Sequence, residues 1–285
     1  MIDYSINVNG RLIDLGEPQV MGILNVTPDS FYAASRQQTA DGISLRAKQI
    51  VSEGGTIIDI GACSTRPGSM PVDEEEERRR LAEALGVVSR ELPSAVVSVD
   101  TYRPSVARMA VEEYGASIIN DVGATSGSEV ADRTEMFRMA ARLGVPYVLT
   151  SHAADTKGVL LDLAENIQQL RDLGQKDIIV DPGFGFGKAR GNDGSATGDY
   201  QLMACLEQLQ VLGLPIMVGV SRKSMVCKLL GQTPDEALNG TTALHTIALM
   251  NGASILRVHD VRQAVECCRI VAACTPSQYR FNPNT

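Results

Sequence analysis

With 285 residues, 44% of them hydrophobic, the chain is large enough for one α/β barrel or for two ordinary domains, with ample material for a core. Its formal net charge of −8 excludes a protein that coats nucleic acid or an anionic membrane, since either needs a surplus of Lys and Arg; any anion must be caught locally. No apolar run approaches the ~20 residues of a membrane span and the start, MIDYSINVNG, has neither a basic nor an apolar leader region, so a cytoplasmic protein is expected.

The first segment, YSINVNGRLIDL, places Asn-Gly between alternating residues, which reads as a β-hairpin ahead of the main body. Eight short apolar runs follow: VMGILNV (20–26), TIIDIGA (56–62), AVVSVDT (95–101), SIINDV (117–122), PYVLTS (146–151), DIIVDPG (177–183), PIMVGVS (215–221) and SILRVHD (254–260). Their continuous apolar character suits strands buried on both faces, as in parallel sheets. Helix-period segments intervene, among them DEEEERRRLAEALGVVSREL, RPSVARMAVEEYG and LNGTTALHTIALMNG. Eight strand-helix units predict a (β/α)8 TIM barrel capped at its bottom by the hairpin, with a doubly wound sheet as the alternative. No linker divides the chain, so residues 1–285 read as a single domain. The six cysteines, Cys63, Cys205, Cys227, Cys267, Cys268 and Cys274, show no C-x-x-C pair or zinc spacing; reduced thiols are expected, several in the core.

Barrel chemistry sits at the C-terminal ends of strands, and those ends are polar here: Asn25, Asp59, Asp100, Asn120 with Asp121, Ser151 with His152, Asp181, Ser221 to Lys223, then Arg257 and His259. An unpaired ionised carboxylate is too costly to bury by accident. Asp100, Asn120 and Asp181 could offer acceptors and an amide to the edge of a flat heterocycle rich in N–H donors. Asp59 and Asp121 are equally suited to capping a helix or binding loop amides. Arg257 and His259, two apart on strand eight, point the same way and suit an anion, with Arg66 of CSTRPG as a second clamp. Lys223 and Ser224 open a helix whose free amides can hold a carboxylate, while Arg222 reads as a structural ion pair and His245, within ALHTIAL, as a packed histidine.

The stretch DPGFGFGK (181–188) imitates a phosphate loop but fails its pattern: Pro182 stands where the first glycine should be, and Ala189 where the metal-binding hydroxyl should be. Its glycines read instead as a tight turn after strand six, with Lys188 solvated.

Taken together, MGILNVTPDSF, IDIGACSTRPG, VSVDT, IIND, DPGFGFGK, GVSRKSM and RVHDV, in this order and on these strands, resemble the dihydropteroate synthase family of pterin-binding barrels. The resemblance implies that 6-hydroxymethyl-7,8-dihydropterin diphosphate and p-aminobenzoate give 7,8-dihydropteroate and pyrophosphate by a dissociative substitution, in a protein of the class targeted by sulfonamides. It implies a pterin held by Asp100, Asn120, Asp181, Lys223 and Arg257, with Asp100, Asp181, Lys223 and Arg257 serving the chemistry. The diphosphate falls to Asn25, Arg66, Arg257 and His259 with Mg2+, Asn25 being its ligand. Phe31, Thr65, Pro67, Phe186, Lys223 and Ser224 surround p-aminobenzoate. A homodimer through the last helices is implied as well.

Several residues depart from the family pattern. Tyr32, Ala33, Ala34 and Ser35 replace the usual Ser-Asp-Gly-Gly, Cys63 replaces a Glu, and Leu149, Thr150, Ser151 and His152 replace Leu-Met-His-Met. The segment ARGNDGSATGD (189–199) is longer than the pattern and reads as a surface loop beside the aryl slot, able to alter closure or sulfonamide discrimination. Two rivals share the strand-end acceptors. A corrinoid methyltransferase domain is disfavoured by STRPG and SRKS, because it has no pyrophosphate to expel; the other rival is a non-catalytic pterin-binding paralogue.

Overall fold

The computed structural model describes residues 3–26, 39–63, 72–123, 133–186 and 196–274. The predicted hairpin forms from β1 (Ser5–Val8) and β2 (Arg11–Asp14). Its turn residues Asn9 and Gly10 both have positive φ, 51° and 84°, as a two-residue turn matched to strand twist demands.

All eight predicted barrel strands are present: β3 (Gln19–Asn25), β4 (Ile57–Gly61), β5 (Val96–Asp100), β6 (Ile118–Asp121), β7 (Tyr147–Thr150), β8 (Ile178–Asp181), β9 (Met217–Val218) and β10 (Ile255–Val258). They run parallel in the order β8-β7-β6-β5-β4-β3-β10-β9. The two ends meet where Val180 pairs with Ile216 and the Val180 amide donates to the Pro215 carbonyl at 2.9 Å. That bridge closes the sheet and rules out the doubly wound alternative.

Outside lie α1 (Ala40–Ser52), α2 (Glu74–Glu91), α3 (Pro104–Glu112), α4 (Thr134–Leu143), α5 (Thr156–Asp172), α6 (Thr197–Ala204), α7 (Ser224–Leu230), α8 (Leu238–Met250) and α9 (Val261–Cys274), with a 3-10 helix at Leu206–Leu212. Their starts follow from local chemistry. Asp73 accepts the Glu76 amide at 2.8 Å ahead of four glutamates in the first turn of α2, and Asp155 accepts that of Gly158 at 2.8 Å ahead of α5; both offset otherwise unbonded helix amides. One expectation needs correcting. The end of the glycine-rich segment is not loop, because Thr197, Gly198 and Asp199 form the first turn of α6; residues 187–195 lie outside the described residues.

Strand alternation sorts the interior into layers. The lowest is wholly apolar: Met21, Ile57, Val96, Ile118, Val148, Ile179, Met217 and Ile255, one from each strand, packed with Ile6, Val8 and Leu15 of the hairpin segment. Burying a side chain of this kind contributes about 2 kcal/mol, and the hairpin thereby plugs the barrel's bottom. Two residues further along each strand come Ile23, Asp59, Ser98, Asn120, Thr150, Asp181, Gly219 and Arg257. The chemistry switches from oil to polar in a single step. The six cysteines are all unpaired, as expected, but only Cys267 is fully buried and Cys274 is exposed.

His245 is packed as expected, buried in α8 with no hydrogen-bond partner for either ring nitrogen among the described residues. Burial pushes its pKa down to about 4, against the pull of Asp260. The unfolded chain takes up the proton near pH 6.5 and the folded one does not, so this contribution is complete above pH 6.5 and lost as pH falls toward 4. Chemical denaturation at pH 7 and pH 4.5 should show about 2–3 kcal/mol more acid loss in the wild type than in His245→Leu. An identical acid dependence in the two proteins would refute this account.

Candidate active site

The polar layer is organised by Arg257. From β10 its Nε donates to Asp59 Oδ2 at 2.7 Å and its Nη2 donates to Asp100 Oδ2. Asn120 Nδ2 donates to the same Asp59 oxygen at 3.1 Å. One guanidinium thus binds strands β4, β5 and β10 across the barrel, and β6 joins through the amide. Burial and the neighbouring Asp59 push Asp100 up to about 7, opposed by Arg257; the guanidinium itself, facing Asp59, Asp100 and Asp181, is held firmly charged.

Asp59 is the site residue that sequence reasoning left undecided. It is wholly buried and faces inward, and two partners share its Oδ2. Asp121 resolves the other way. As the neighbour of inward-facing Asn120 it points to the helix layer, where it accepts from the Tyr147 hydroxyl and from the Gly123 amide at 2.8 Å, with Arg133 3.7 Å away. Asp121 is structural.

Glycine punctuation shapes the mouth. Asp181 accepts the Gly183 amide at 2.7 Å. Gly183 has φ 71°, and a Cβ there would sit 1.9 Å from the Ser151 carbonyl oxygen, so only glycine fits. The Gly185 amide donates to Asp199 Oδ1 at 2.8 Å, which ties the turn to the start of α6. Over this turn lies Lys223: its Nζ donates to the Phe184 carbonyl at 2.5 Å and stands 4.6 Å from the Phe186 ring centre. The His152 ring is 5.3 Å from that of Phe186, and its Nε2 donates to the Val122 carbonyl at 2.7 Å. Phe186, His152 and Lys223 therefore form one wall, and Ser224 opens α7 beside it.

Arg222 holds this wall in place. Its backbone is left-handed, φ 54°, a conformation costly for a residue with a Cβ. The side chain offsets the cost with bonds of 2.8 and 2.9 Å to Asp260 and two more to the carbonyls of Pro234 and Asp235. This is the structural ion pair expected for it. His259 is buried, and its amide donates to Ser221 Oγ at 3.2 Å. Cys63, half-buried after β4, faces Glu77 and Arg103, and burial pushes its thiol up.

Asp100, Asn120, Asp181, Lys223, Arg257 and His259 thus gather at the C-terminal end of one barrel, with Asn25 at the end of β3. A Cβ built on Gly61 would lie 3.3 Å from both Asn25 Oδ1 and Asp100 Oδ2, which places that amide oxygen at the edge of the charged group. Phe31, Thr65, Arg66 and Pro67, the variant residues Tyr32 to Ser35, and Lys188 lie outside the described residues. The arrangement offers carboxylate acceptors deep inside, cationic groups at the rim and an aromatic wall, with no nucleophile-base pair among the described residues of the chamber.

The family model of pterin-binding enzymes matches residues 21–259. The chain is 36% identical over 279 residues to the dihydropteroate synthase of Escherichia coli, covering 93% of this chain and 94% of that one. To that of Bacillus subtilis it is 38% identical over 263 residues, covering 89% and 87%. Among solved structures, Yersinia pestis dihydropteroate synthase with a sulfonamide drug superposes with a TM-score of 0.84 at 35% identity, covering 95% of this chain and 98% of that one. The Xanthomonas albilineans enzyme with 4-aminobenzoic acid gives 0.81 at 35% identity, with 95% and 99% covered. A barrel whose strand ends carry these acceptors, matched by relatives over nearly its full length, belongs to the dihydropteroate synthase family of pterin-binding enzymes.

Proposed function

We propose that this protein is a transferase that joins 6-hydroxymethyl-7,8-dihydropterin diphosphate to p-aminobenzoate, with the whole chain acting as one pterin-binding barrel. The observation that carries this reading is the inward set of Asp59, Asp100, Asn120 and Asp181 around Arg257, immediately above an apolar floor. Such a chamber holds a flat ring by its edge and denies it to water. Asp100, Asn120 and Asp181 take the N–H edge of the pterin, with Lys223 and Arg257 against the ring.

In the reaction the bond between the exocyclic methylene carbon and the diphosphate oxygen breaks first, and its electron pair leaves with pyrophosphate. The methylene cation is delocalised into the ring, the aryl amine attacks it, and the amine loses a proton. Fixed charges suit both halves of this step. His259 and Arg257 face the departing anion, to which the family pattern also assigns Arg66, and Asp100 and Asp181 favour the cation. No covalent enzyme intermediate is needed. Phe186, Lys223 and Ser224 line the p-aminobenzoate slot, to which the family pattern also assigns Phe31, Thr65 and Pro67, and the carboxylate meets the start of α7.

Mg2+ would supply neutralising charge to the diphosphate. The residues fit such an ion: Asn25 offers a hard amide oxygen at the mouth, and Mg2+ takes one or two protein oxygens while substrate phosphates and water fill the rest.

A homodimer through α8 and α9 completes the reading, supported by large apolar side chains left exposed there: Ile247, Met250 and Ile270. A lone exposed apolar residue needs no explanation, but several on two neighbouring helices favour a covered face. A cytoplasmic setting is supported by six unpaired cysteines, and no helix among the described residues is long and apolar enough to cross a membrane.

With both substrates and Mg2+, the protein should release pyrophosphate. Asp181→Asn and Lys223→Ala should each lower kcat/KM by at least about 100-fold, as for loss of a preorganised charge; full activity in either would overturn the site assignment. Retained pterin binding without pyrophosphate release would favour the non-catalytic paralogue.

The pH dependence follows from Asp100. Its carboxylate form accepts from pterin N–H groups with charged oxygens, whereas protonation removes the charge and turns one oxygen into a donor; its pKa is raised to about 7, so the stronger acceptor is depleted below pH 7. Pterin affinity measured by calorimetry should weaken as pH falls from 8 to 6, approaching tenfold per unit at the low end. Asp100→Asn should flatten that dependence, and an unchanged slope would count against the role.

Sedimentation should report a dimer for the wild type and a shift toward monomer for Met250→Glu with Ile270→Glu. If the double variant sediments like the wild type, the interface lies elsewhere.

A further inference from the structure

In the polar layer, four adjacent strands each present a buried side-chain atom with no hydrogen-bond partner among the described residues: Asp59 Oδ1 from β4, Ser98 Oγ from β5, Asn120 Oδ1 from β6 and Thr150 Oγ1 from β7. All four side chains belong to residues 0% exposed. Isolated orphans of this kind are rare in folded proteins, because each forfeits its bonds to water. Four side by side, at one height in the barrel, form an arc of unsatisfied groups. Across from the arc, Gly219 contributes no side chain, and a Cβ there would meet only Arg257, at 3.8 Å.

The arc alternates in kind. Asp59 Oδ1 can only accept, and so can Asn120 Oδ1, because the Asn120 amide nitrogen is committed to the opposite Asp59 oxygen at 3.1 Å. Ser98 and Thr150 carry hydroxyls, which can donate. A pterin edge has both N–H donors and acceptor atoms, namely its carbonyl oxygen and ring nitrogens. The acceptors of the arc match the N–H groups. The hydroxyls are what this side of the chamber offers to the ring's own acceptors.

Packing alone does not account for a threonine at 150. Its Cγ2 lies 3.3 Å from the Cβ position of Gly183, so the site uses the β-branched shape, yet valine would fill the same volume without burying an orphan hydroxyl. Its backbone pairs with Asp181, which puts the side chain next to the carboxylate assigned to the pterin. Ser151, one residue on, is turned to the helix layer, where its Oγ donates to Asp162 at 2.5 Å. Thr150 therefore faces the chamber while its neighbour serves structure.

We propose that Thr150 Oγ1 donates a hydrogen bond to an acceptor atom on the ring of the bound pterin, a contact that a thioether at this position could not make. The hydroxyl makes the deep end of the site selective for heterocycles that carry an acceptor on that edge. This inference rests on the pterin-binding reading above and adds a specific residue to it.

Calorimetric titration of wild type, Thr150→Val and Thr150→Ser with 6-hydroxymethylpterin tests it, with thermal melting of each protein alongside. Thr150→Val should weaken binding about threefold to tenfold, the range for one lost hydrogen bond, with a Tm equal to or above that of the wild type because an orphan hydroxyl is gone. Thr150→Ser, which keeps the donor, should bind close to the wild type. Wild-type affinity in Thr150→Val would overturn the inference while leaving the pterin reading intact. Equal weakening in both variants with lowered Tm would overturn it too, assigning Thr150 to packing. Failure of the wild type to bind the pterin would sink both readings together.

Discussion

The site depends on keeping one guanidinium charged inside a barrel. Arg257 is surrounded by Asp59, Asp100 and Asp181, and without those carboxylates its burial would cost several kcal/mol. The carboxylates in turn are tolerable only because Arg257 is there, and even so Asp100 is driven toward its neutral form. Removing Arg257 would leave those carboxylates without their cation. The cluster is therefore an obligate unit, and it ties β4, β5 and β10 together above the apolar floor. Such an arrangement gains little stability over a hydrophobic core of equal volume; its value is a fixed field around the chamber.

Around that unit, the backbone supplies precision. Gly183 is bonded through its amide to Asp181 and Gly185 to Asp199, so the turn after β8 is pinned at both the strand and the next helix. Lys223 reaches over this turn to the Phe184 carbonyl, and its own segment is fixed by the strained Arg222 and its double bond to Asp260. Three consecutive strand ends, β8, β9 and β10, are thus mechanically joined through Lys223, Arg222 and Asp260. The Arg222–Asp260 pair beside Lys223 is nearly shielded from water.

Much of this was legible in the sequence because each strand ends where apolar residues give way to polar ones. The barrel, the hairpin and the gathering of Asp100, Asn120, Asp181, Lys223 and Arg257 follow from that pattern with the parallel-sheet rule. What it concealed was facing. Strands buried on both sides show no alternation of hydrophobicity, so Asn120 and Asp121 look alike in sequence, though one lines the chamber and the other is bonded to Tyr147 in the helix layer. Asp59 is ambiguous in sequence for the same reason; its phase is set by the structure, where Gly61, two residues on, is the register partner of Asp100. The early start of α6 was hidden by composition, since Thr197, Gly198 and Asp199 are poor helix formers held there by the Asp199–Gly185 bond.

The layering explains why one barrel can be both stable and receptive. The floor and the outer face bury the apolar surface on which folding depends, and the polar layer above them is left under-satisfied along one arc. An orphan buried group costs about 1–3 kcal/mol, which a large core can absorb. That cost belongs to the free protein and is relieved when a ligand supplies the missing partners, so it adds to discrimination: a ring lacking the matching atoms relieves nothing. Specificity of this kind resides in unsatisfied atoms more than in shape, and it requires the groups beneath them to be rigid. The hairpin-plugged floor meets that requirement, holding the strands from below while Arg257 holds them from within.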